Sequence, residues 1–128
     1  MHPAVLLIDG DPDSLNIYSI LLEHHGYRVL RAPSGEDGLR LAAEQRPNLI
    51  ILDPYTPFRG QQGVLEALLE NVATAAIPLM VLTAVPGFLI SPRYGLTPSQ
   101  LLSKPMQPRR LLYEVEQRLQ LGPPSLTA

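Results

Sequence analysis

Four polar residues that together could handle a phosphoryl group follow short aliphatic runs in this chain: Asp9, Asp53, Thr83 and Lys104. Two carboxylates can hold a hard divalent cation, a hydroxyl can hydrogen-bond a phosphoryl oxygen, and an ammonium can neutralise one. With Asp53 as the acceptor, this set is suited to forming an aspartyl phosphate. An Asp after a strand is, taken alone, more often a turn former or a helix cap. The chemical interpretation therefore depends on the four residues meeting at one place.

The aliphatic runs themselves predict how these residues are positioned. Residues 4–8 and 49–52 are continuous aliphatic runs without alternation, which fits strands buried on both faces of a parallel sheet covered by helices. Residues 27–32 alternate and predict a strand nearer an edge, and 78–83 and 101–103 predict two more strands. Because parallel strands point their carboxyl ends to one edge, the four polar residues should meet there.

Helix signals separate the strands. Asp11 and Pro12 form an N-cap followed by Pro at the first helical position, and this helix should close at Gly26. Ser34 and Asp37 have the spacing of a capping box. The apolar positions expected for the third helix are Val64, Leu65, Leu68, Leu69 and Val72. A last helix should begin at Pro108 and end at Gly122, its apolar side formed by Leu111, Leu112, Val115 and Leu119.

The stretch from Ala84 to Gln100 departs from this alternation. Five prolines and glycines interrupt it, so no helix of normal length is expected there. It still contains the apolar residues Phe88, Leu89, Ile90, Tyr94 and Leu96. Two interpretations are open: these residues pack irregularly over the face of the sheet, or residues 85–102 form an exposed patch for a homodimer or another partner.

Composition limits the classes of protein to consider. The 128 residues are 45% hydrophobic and 17% charged, as in one globular domain, which we place at 1–121 with a flexible tail at 122–128. A net charge of -2 gives no basic footprint for nucleic acid, and the lack of cysteine excludes disulfides and thiol chemistry. The chain shows neither a signal peptide nor an apolar run long enough for a membrane span. These features predict a cytoplasmic protein.

The order and spacing of the motifs resemble the receiver domain of two-component response regulators, over residues 4–120. The segments that carry the resemblance are Leu7-Ile8-Asp9-Gly10-Asp11-Pro12-Asp13, Pro47-Asn48-Leu49-Ile50-Ile51-Leu52-Asp53 with Pro57, Ile77-Pro78-Leu79-Met80-Val81-Leu82-Thr83-Ala84, and Lys104-Pro105. The resemblance implies an α/β, flavodoxin-like, doubly wound fold with a five-stranded parallel sheet of order 2-1-3-4-5. Here the fourth helix should be missing or replaced by a Pro/Gly-rich loop.

The resemblance also implies a role for each polar residue. Asp53 would accept a phosphoryl group from a sensor histidine kinase or phosphotransfer protein with Mg²⁺ bound. Asp9, Asp53 and the backbone carbonyl of Tyr55 would be the metal ligands, Thr83 would contact the phosphoryl group, and Lys104 would pair with it. The domain would then signal through protein contacts. It would not be an enzyme apart from phosphoryl transfer to, and hydrolysis from, its own Asp.

Two positions depart from the family pattern. Gly10 stands where the family has a second acid, so Mg²⁺ should bind weakly unless Asp11 replaces it, and Asp11 has a competing task as an N-cap. Leu101 stands where the family usually has an aromatic residue that responds to the phosphate. These departures keep an alternative open, a pseudo-receiver that acts as a phosphorylation-independent interaction module. A small hydrolase with Asp53 as nucleophile is a third possibility, but no substrate-pocket motif accompanies it.

Overall fold

A computed structural model describes residues 2–59, 63–84, 96 and 100–121. The strands are β1 (Ala4–Ile8), β2 (Arg28–Ala32), β3 (Leu49–Leu52), β4 (Leu79–Thr83) and β5 (Leu101–Ser103). The helices are α1 (Pro12–His24), α2 (Gly35–Gln45), α3 (Val64–Glu70) and α4 (Pro108–Leu121).

All five strands form one parallel sheet in the order β2-β1-β3-β4-β5. This confirms the expected order 2-1-3-4-5 and places the runs that end in Asp9 and Asp53 side by side. Leu6 of β1 lies in register with Leu30 on one side and Ile50 on the other. Thr83 of β4 is in register with Ser103 of β5. The sheet therefore presents the ends of β1, β3, β4 and β5 along one edge, as the sequence predicts.

Side chains alternate along each strand and point into two separate hydrophobic cores, one on each face of the sheet. Leu6 and Ile8 of β1 point to the face covered by α2 and α3, whereas Val5 and Leu7 point to the face covered by α1 and α4. Every residue of β1, β3 and β4 is buried, which explains their lack of polar alternation. The helices on both faces of the sheet are therefore needed to exclude water from the central strands.

The helix starts follow the predicted capping chemistry. The Asp11 side chain accepts a hydrogen bond from the backbone N–H of Asp13, and Ser34 accepts one from the N–H of Asp37. Gly26 has φ of 92°, a conformation that favours glycine, and follows the C-cap residue His25 of α1. The expected N-caps at Asp11 and Ser34 are therefore confirmed.

The predicted extent of α3 is wrong. The helix ends at Glu70, and Val72 is 95% exposed instead of lying on the apolar face. The helix stops because Asn71 adopts an extended backbone and its side chain accepts a hydrogen bond from the N–H of Ala73. The hydroxyl of Thr74 donates to the carbonyl of Leu68 at 2.6 Å, which satisfies one of the free carbonyls at the helix end.

Some expectations fall on residues that are not described. Of the predicted Pro/Gly-rich segment, the structure describes Ala84, Leu96 and Gln100, and Leu96 packs against the core beside α2 and α3. Phe88, Leu89, Ile90 and Tyr94 lie outside the described residues, as does the expected tail at 122–128. The missing fourth helix and the patch at 85–102 therefore stay predictions. Within the described ranges, no helix is both long enough and apolar enough to cross a membrane.

Candidate functional site

Three of the predicted residues meet at the carboxyl edge of the sheet. The ammonium of Lys104 donates to Oδ2 of Asp9 at 2.7 Å and to Oδ2 of Asp53 at 2.8 Å. The side chain of Asp9 is almost completely buried, whereas those of Lys104 and Asp53 are 12% and 15% exposed. Asp53 is thus the more accessible carboxylate, and the two acids share one cation.

Backbone hydrogen bonds between neighbouring strand ends fix these positions. The N–H of Asp9 donates to the carbonyl of Ala32, and the N–H of Asp53 donates to the carbonyl of Ile8. The N–H of Lys104 donates to the carbonyl of Thr83 at 2.9 Å. The site therefore continues the hydrogen-bond pattern of the sheet by one residue per strand and is built on rigid elements.

The second carboxylate oxygen of Asp9 and of Asp53 also accepts a hydrogen bond. Oδ1 of Asp9 accepts from the N–H of Asp11 at 2.9 Å, and Oδ1 of Asp53 accepts from the N–H of Tyr55 at 3.0 Å. Each carboxylate accepts one backbone bond and one bond from Lys104. Since a carboxylate oxygen has two lone pairs, each oxygen can still accept a further contact.

Asp11 is a neighbour of the site through its backbone. Its own carboxylate accepts from the N–H of Asp13 and from the hydroxyl of Ser14 at 3.0 Å, both in the first turn of α1. The side chain is therefore engaged in capping the helix in this structure.

Thr83 lies at the same edge, at the end of β4. It is 1% exposed, and its carbonyl anchors the backbone of Lys104. Leu101, which replaces the expected aromatic residue, begins β5 and packs partly buried against the core beside α2 and α3. The Lys104–Pro105 peptide is cis.

Burial and ion pairing shift the pKa values of Asp9 and Lys104. Burial raises the pKa of Asp9 above its ordinary value of 3.8, even though the hydrogen bonds from Lys104 and from the Asp11 backbone oppose this shift. Burial alone would lower the pKa of Lys104, but its bonds to Asp53 and Asp9 outweigh that effect and leave the pKa above 10.5. The ammonium is therefore a permanent cation at neutral pH.

Gly10 is in close contact with the loop after Asp53. A Cβ added to Gly10 would lie 2.5 Å from Cδ of Pro57, which is too close without a shift of a rigid ring. The N–H of Gly10 donates to the hydroxyl of Thr56 at 3.1 Å. The space in which a side chain at position 10 would begin is thus filled by the Pro57 ring.

The donor set fits Mg²⁺ only weakly. No cluster of three or more His, Cys, Asp or Glu side chains that could hold a metal occurs among the residues described. Mg²⁺ in proteins usually keeps several waters and uses one or two carboxylates together with phosphate oxygens. Asp9 and Asp53, which share Lys104, are two such carboxylates, and the role of the Tyr55 carbonyl as a metal ligand stays a prediction. The metal would have to compete with Lys104 for the carboxylates.

Thr56 is a further residue of this edge, and the sequence pattern did not predict its role. Its hydroxyl donates to the carbonyl of Asp53 at 2.6 Å while it accepts from Gly10, and the residue is 6% exposed. The sequence feature that could have indicated this role is a threonine between Pro54 and Pro57, because few other side chains of this loop can both donate and accept a hydrogen bond.

Comparison with known proteins agrees with this arrangement. The family model described as "Response regulator receiver domain" matches residues 5–116. Protein PilH of Pseudomonas aeruginosa is 30% identical over 79 residues, a stretch covering 62% of this chain and 65% of that protein. The DNA-binding dual master transcriptional regulator RpaA of Synechocystis is 40% identical over 83 residues, covering 65% of this chain and 34% of that protein. The matched stretches thus span from about a third to about two thirds of these relatives' lengths.

A solved structure shows the same fold. The CheY-like response regulator receiver domain protein from Methanospirillum hungatei superposes with a TM-score of 0.79 at 23% identity, covering 94% of this chain and 96% of that one. With the family match over residues 5–116, the parallel sheet of order 2-1-3-4-5 and the acids and lysine at its carboxyl edge, this chain belongs to the family of response regulator receiver domains.

Proposed function

We propose that this receiver domain accepts a phosphoryl group on Asp53 from a phosphohistidine of a sensor histidine kinase or phosphotransfer protein, and signals through protein contacts. The observation that carries the proposal is the pair of bonds from Lys104 to Asp9 and Asp53 at the open edge of the sheet. We place the protein in the cytoplasm, where such kinases deliver their phosphoryl groups. Receiver domains in general are signalling modules without substrate turnover.

The transfer uses the more exposed carboxylate. An oxygen of Asp53 attacks the phosphorus, and the P–N bond of phosphohistidine breaks. The imidazole leaves with the electron pair of that bond and takes up a proton. Lys104 already lies 2.8 Å from Oδ2 of Asp53, so its ammonium can turn to neutralise an oxygen of the new phosphoryl group. Hydrolysis of the acyl phosphate returns Asp53 to its carboxylate form.

The remaining residues have supporting roles. Receiver domains typically use Mg²⁺, which supplies positive charge to the phosphoryl oxygens; Asp9, Asp53 and the Tyr55 carbonyl would hold it. Thr83 would donate its hydroxyl to a phosphoryl oxygen, and the Thr83 carbonyl keeps Lys104 in place. Since Leu101 replaces the usual aromatic residue, the signal cannot pass from Thr83 to an aromatic side chain at that position.

Intact mass measurement after incubation with acetyl phosphate and Mg²⁺ tests the proposal. We expect the mass of one added phosphoryl group in the wild type, no gain in Asp53→Asn, and the wild-type gain in Asp13→Asn, which changes an exposed acid of α1. A wild type that gains no mass at any donor or Mg²⁺ concentration would contradict the proposal, as would an equal gain in Asp53→Asn.

A second candidate function is a pseudo-receiver that binds partners without phosphorylation. The observation that favours it is the contact of Gly10 with Pro57, which leaves no room for the acid that normally completes the metal site. In that case partner binding should be the same in wild type and in Asp53→Asn, in the presence or absence of acetyl phosphate.

A further inference from the structure

The residues after Asp53 connect three parts of the carboxyl edge that would otherwise be independent loops. Thr56 is hydrogen-bonded on one side to Gly10, in the loop after β1, and on the other to the carbonyl of Asp53, at the end of β3. Its backbone N–H donates to the same carbonyl at 3.1 Å. Thr56 is buried, so these bonds are shielded from water.

The residues that follow attach this segment to α2. The carbonyl of Pro57 accepts from the N–H of Gly35 at 2.7 Å, and Phe58 lies so close to Gly35 that a Cβ there would be 2.7 Å from the ring. The N–H of Arg59 donates to the carboxylate of Glu36. We call residues 56–59 the strap. It is fixed to α2 at one end and to Gly10 and Asp53 at the other.

We propose that Thr56 is a positioning residue, whose hydroxyl holds the loop of Gly10 against the end of β3 and so keeps Asp9 and Asp53 at the separation that Lys104 spans. Asp9 immediately precedes Gly10, and Asp53 carries the carbonyl to which Thr56 donates. A shift of either loop would therefore move one carboxylate relative to the other. The consequence for phosphoryl acceptance rests on the proposed function of Asp53.

Gly10 and the strap fit each other both in hydrogen bonding and in packing. The 3.1 Å bond brings the strap close to the backbone of Gly10, and the ring of Pro57 then fills the place where a side chain would start. A hydroxyl can accept from Gly10 and donate to Asp53 at the same time, which neither an aliphatic side chain nor a carboxylate can do. A direct link between the two loops thus exists in the region where the family's additional acid is absent.

Two substitutions distinguish the effect of the Thr56 hydroxyl from the effect of the shape of its side chain. Thr56→Val keeps the branched shape and removes both bonds, whereas Thr56→Ser keeps the hydroxyl. Thr74→Val is the matched control, because Thr74 is also buried and donates at 2.6 Å to a backbone carbonyl, that of Leu68 at the end of α3. A loss of stability alone would affect both valine variants alike.

The first readout is amide hydrogen exchange of Gly10, and it needs no phosphorylation. We expect exchange about tenfold faster in Thr56→Val, within twofold of wild type in Thr56→Ser, and unchanged in Thr74→Val. The carboxyl ¹³C shifts of Asp9 and Asp53 should change in Thr56→Val alone, because the two carboxylates move relative to Lys104.

The second readout is the rate of phosphoryl acceptance from acetyl phosphate. We expect the rate at saturating donor to fall about fivefold in Thr56→Val, with rescue in Thr56→Ser and no change in Thr74→Val. An equal fall in both valine variants would overturn the positioning role. So would Gly10 exchange and carboxyl shifts that are unchanged in Thr56→Val.

The two proposals fail in different ways. If the wild type accepts no phosphoryl group, the proposed function fails, and the exchange and carboxyl-shift data still decide whether Thr56 positions the carboxylates. If the wild type is phosphorylated and Thr56→Val matches it in rate, exchange and shifts, the positioning role fails while the proposed function stands.

Discussion

Gly10 and Pro57 are packed so tightly that a Cβ on Gly10 would lie 2.5 Å from Cδ of the proline ring. The loop after Asp53 therefore lies where a side chain at this position would begin. A single substitution cannot restore the family pattern without moving this loop.

This contact predicts different outcomes for a single and a double variant. Gly10→Asp alone should lower the free energy of unfolding by about 1–3 kcal/mol through overpacking, with little gain in Mg²⁺ affinity. Gly10→Asp with Pro57→Ala should bind Mg²⁺ at least about tenfold more tightly than wild type, because a third carboxylate then reaches the site. Calorimetric titration with Mg²⁺ measures this.

Gly63→Asp is the control for the added charge, since a Cβ at Gly63 has no neighbour within 4 Å among the residues that the structure describes. It should leave Mg²⁺ affinity unchanged. The steric argument would be wrong if Gly10→Asp alone bound Mg²⁺ tenfold more tightly than wild type at no cost in stability.

Lys104→Met should separate the structural and the charge roles of the lysine. Removing the ammonium leaves two mostly buried carboxylates facing each other, so the metal-free unfolding free energy should fall by about 3 kcal/mol. Added Mg²⁺ should then stabilise this variant more than the wild type, because the ammonium that competes with Mg²⁺ for the two carboxylates is gone. Thermal unfolding with EDTA and with Mg²⁺ tests both effects.

The matched control for this variant is Arg118→Met in α4. Arg118 pairs with Glu114 at 2.8 Å, with side chains 15% and 13% exposed, which resembles the exposure of the Lys104 pairs. It should lose stability but keep the wild-type response to Mg²⁺. A Lys104→Met protein that Mg²⁺ stabilises no more than wild type would rule out competition between the ammonium and the metal.

The raised pKa of Asp9 predicts how stability depends on pH. Below pH 3.8 the group is protonated in both states. As the pH rises from 3.8 to the higher folded pKa, the unfolded state loses its proton first, so the folded state binds more protons and the wild type loses stability through this window. In Asp9→Asn that fall should be absent, leaving the variant more stable relative to wild type above the window than below it.

Urea unfolding in EDTA at a series of pH values measures this profile. Asp13→Asn, on the exposed first turn of α1, should keep the wild-type profile. Parallel pH profiles for wild type and Asp9→Asn would contradict the assignment of this pH dependence to Asp9.

The end of α3 gives a prediction about stability. Val72 is 95% exposed and should tolerate Val72→Ala within about 0.5 kcal/mol. Leu68→Ala should cost about 2–5 kcal/mol, because Leu68 is 2% exposed in the core beside α2 and α3. Chemical denaturation compares the two directly. A cost above 1 kcal/mol for Val72→Ala would favour the longer helix that the sequence pattern predicts.

Much of the fold was predictable because its signals are local. The aliphatic runs before Asp9 and Asp53 fit strands covered on both faces, and Asp11 and Ser34 are residue types that often cap helices. The meeting of Asp9, Asp53 and Lys104 follows from strand order. Neither the metal nor the phosphoryl role of these residues follows from that geometry alone.

Two kinds of contact account for what could not be predicted: a local turn that competes with the end of α3, and contacts between residues distant in the sequence. The end of α3 depends on a competing turn at Asn71, whose amide offers the backbone an alternative to the next helical bond. The contact of Gly10 with Pro57 joins residues 47 positions apart in the chain, and no local pattern specifies it. Thr56 was missed for the same reason, because its importance lies in its bond to Gly10.

The two cores of the sheet have a final consequence for Asp53. On the side of α2, the strap ties the turn after Asp53 to Gly35, whereas on the side of α1 and α4 the residue next to Pro105, Met106, donates its N–H to the hydroxyl of Tyr18. The backbone neighbour that binds one oxygen of Asp53 and the lysine that binds the other are thus attached to opposite layers. Repacking of either layer is therefore expected to displace one of the two carboxylate oxygens of Asp53.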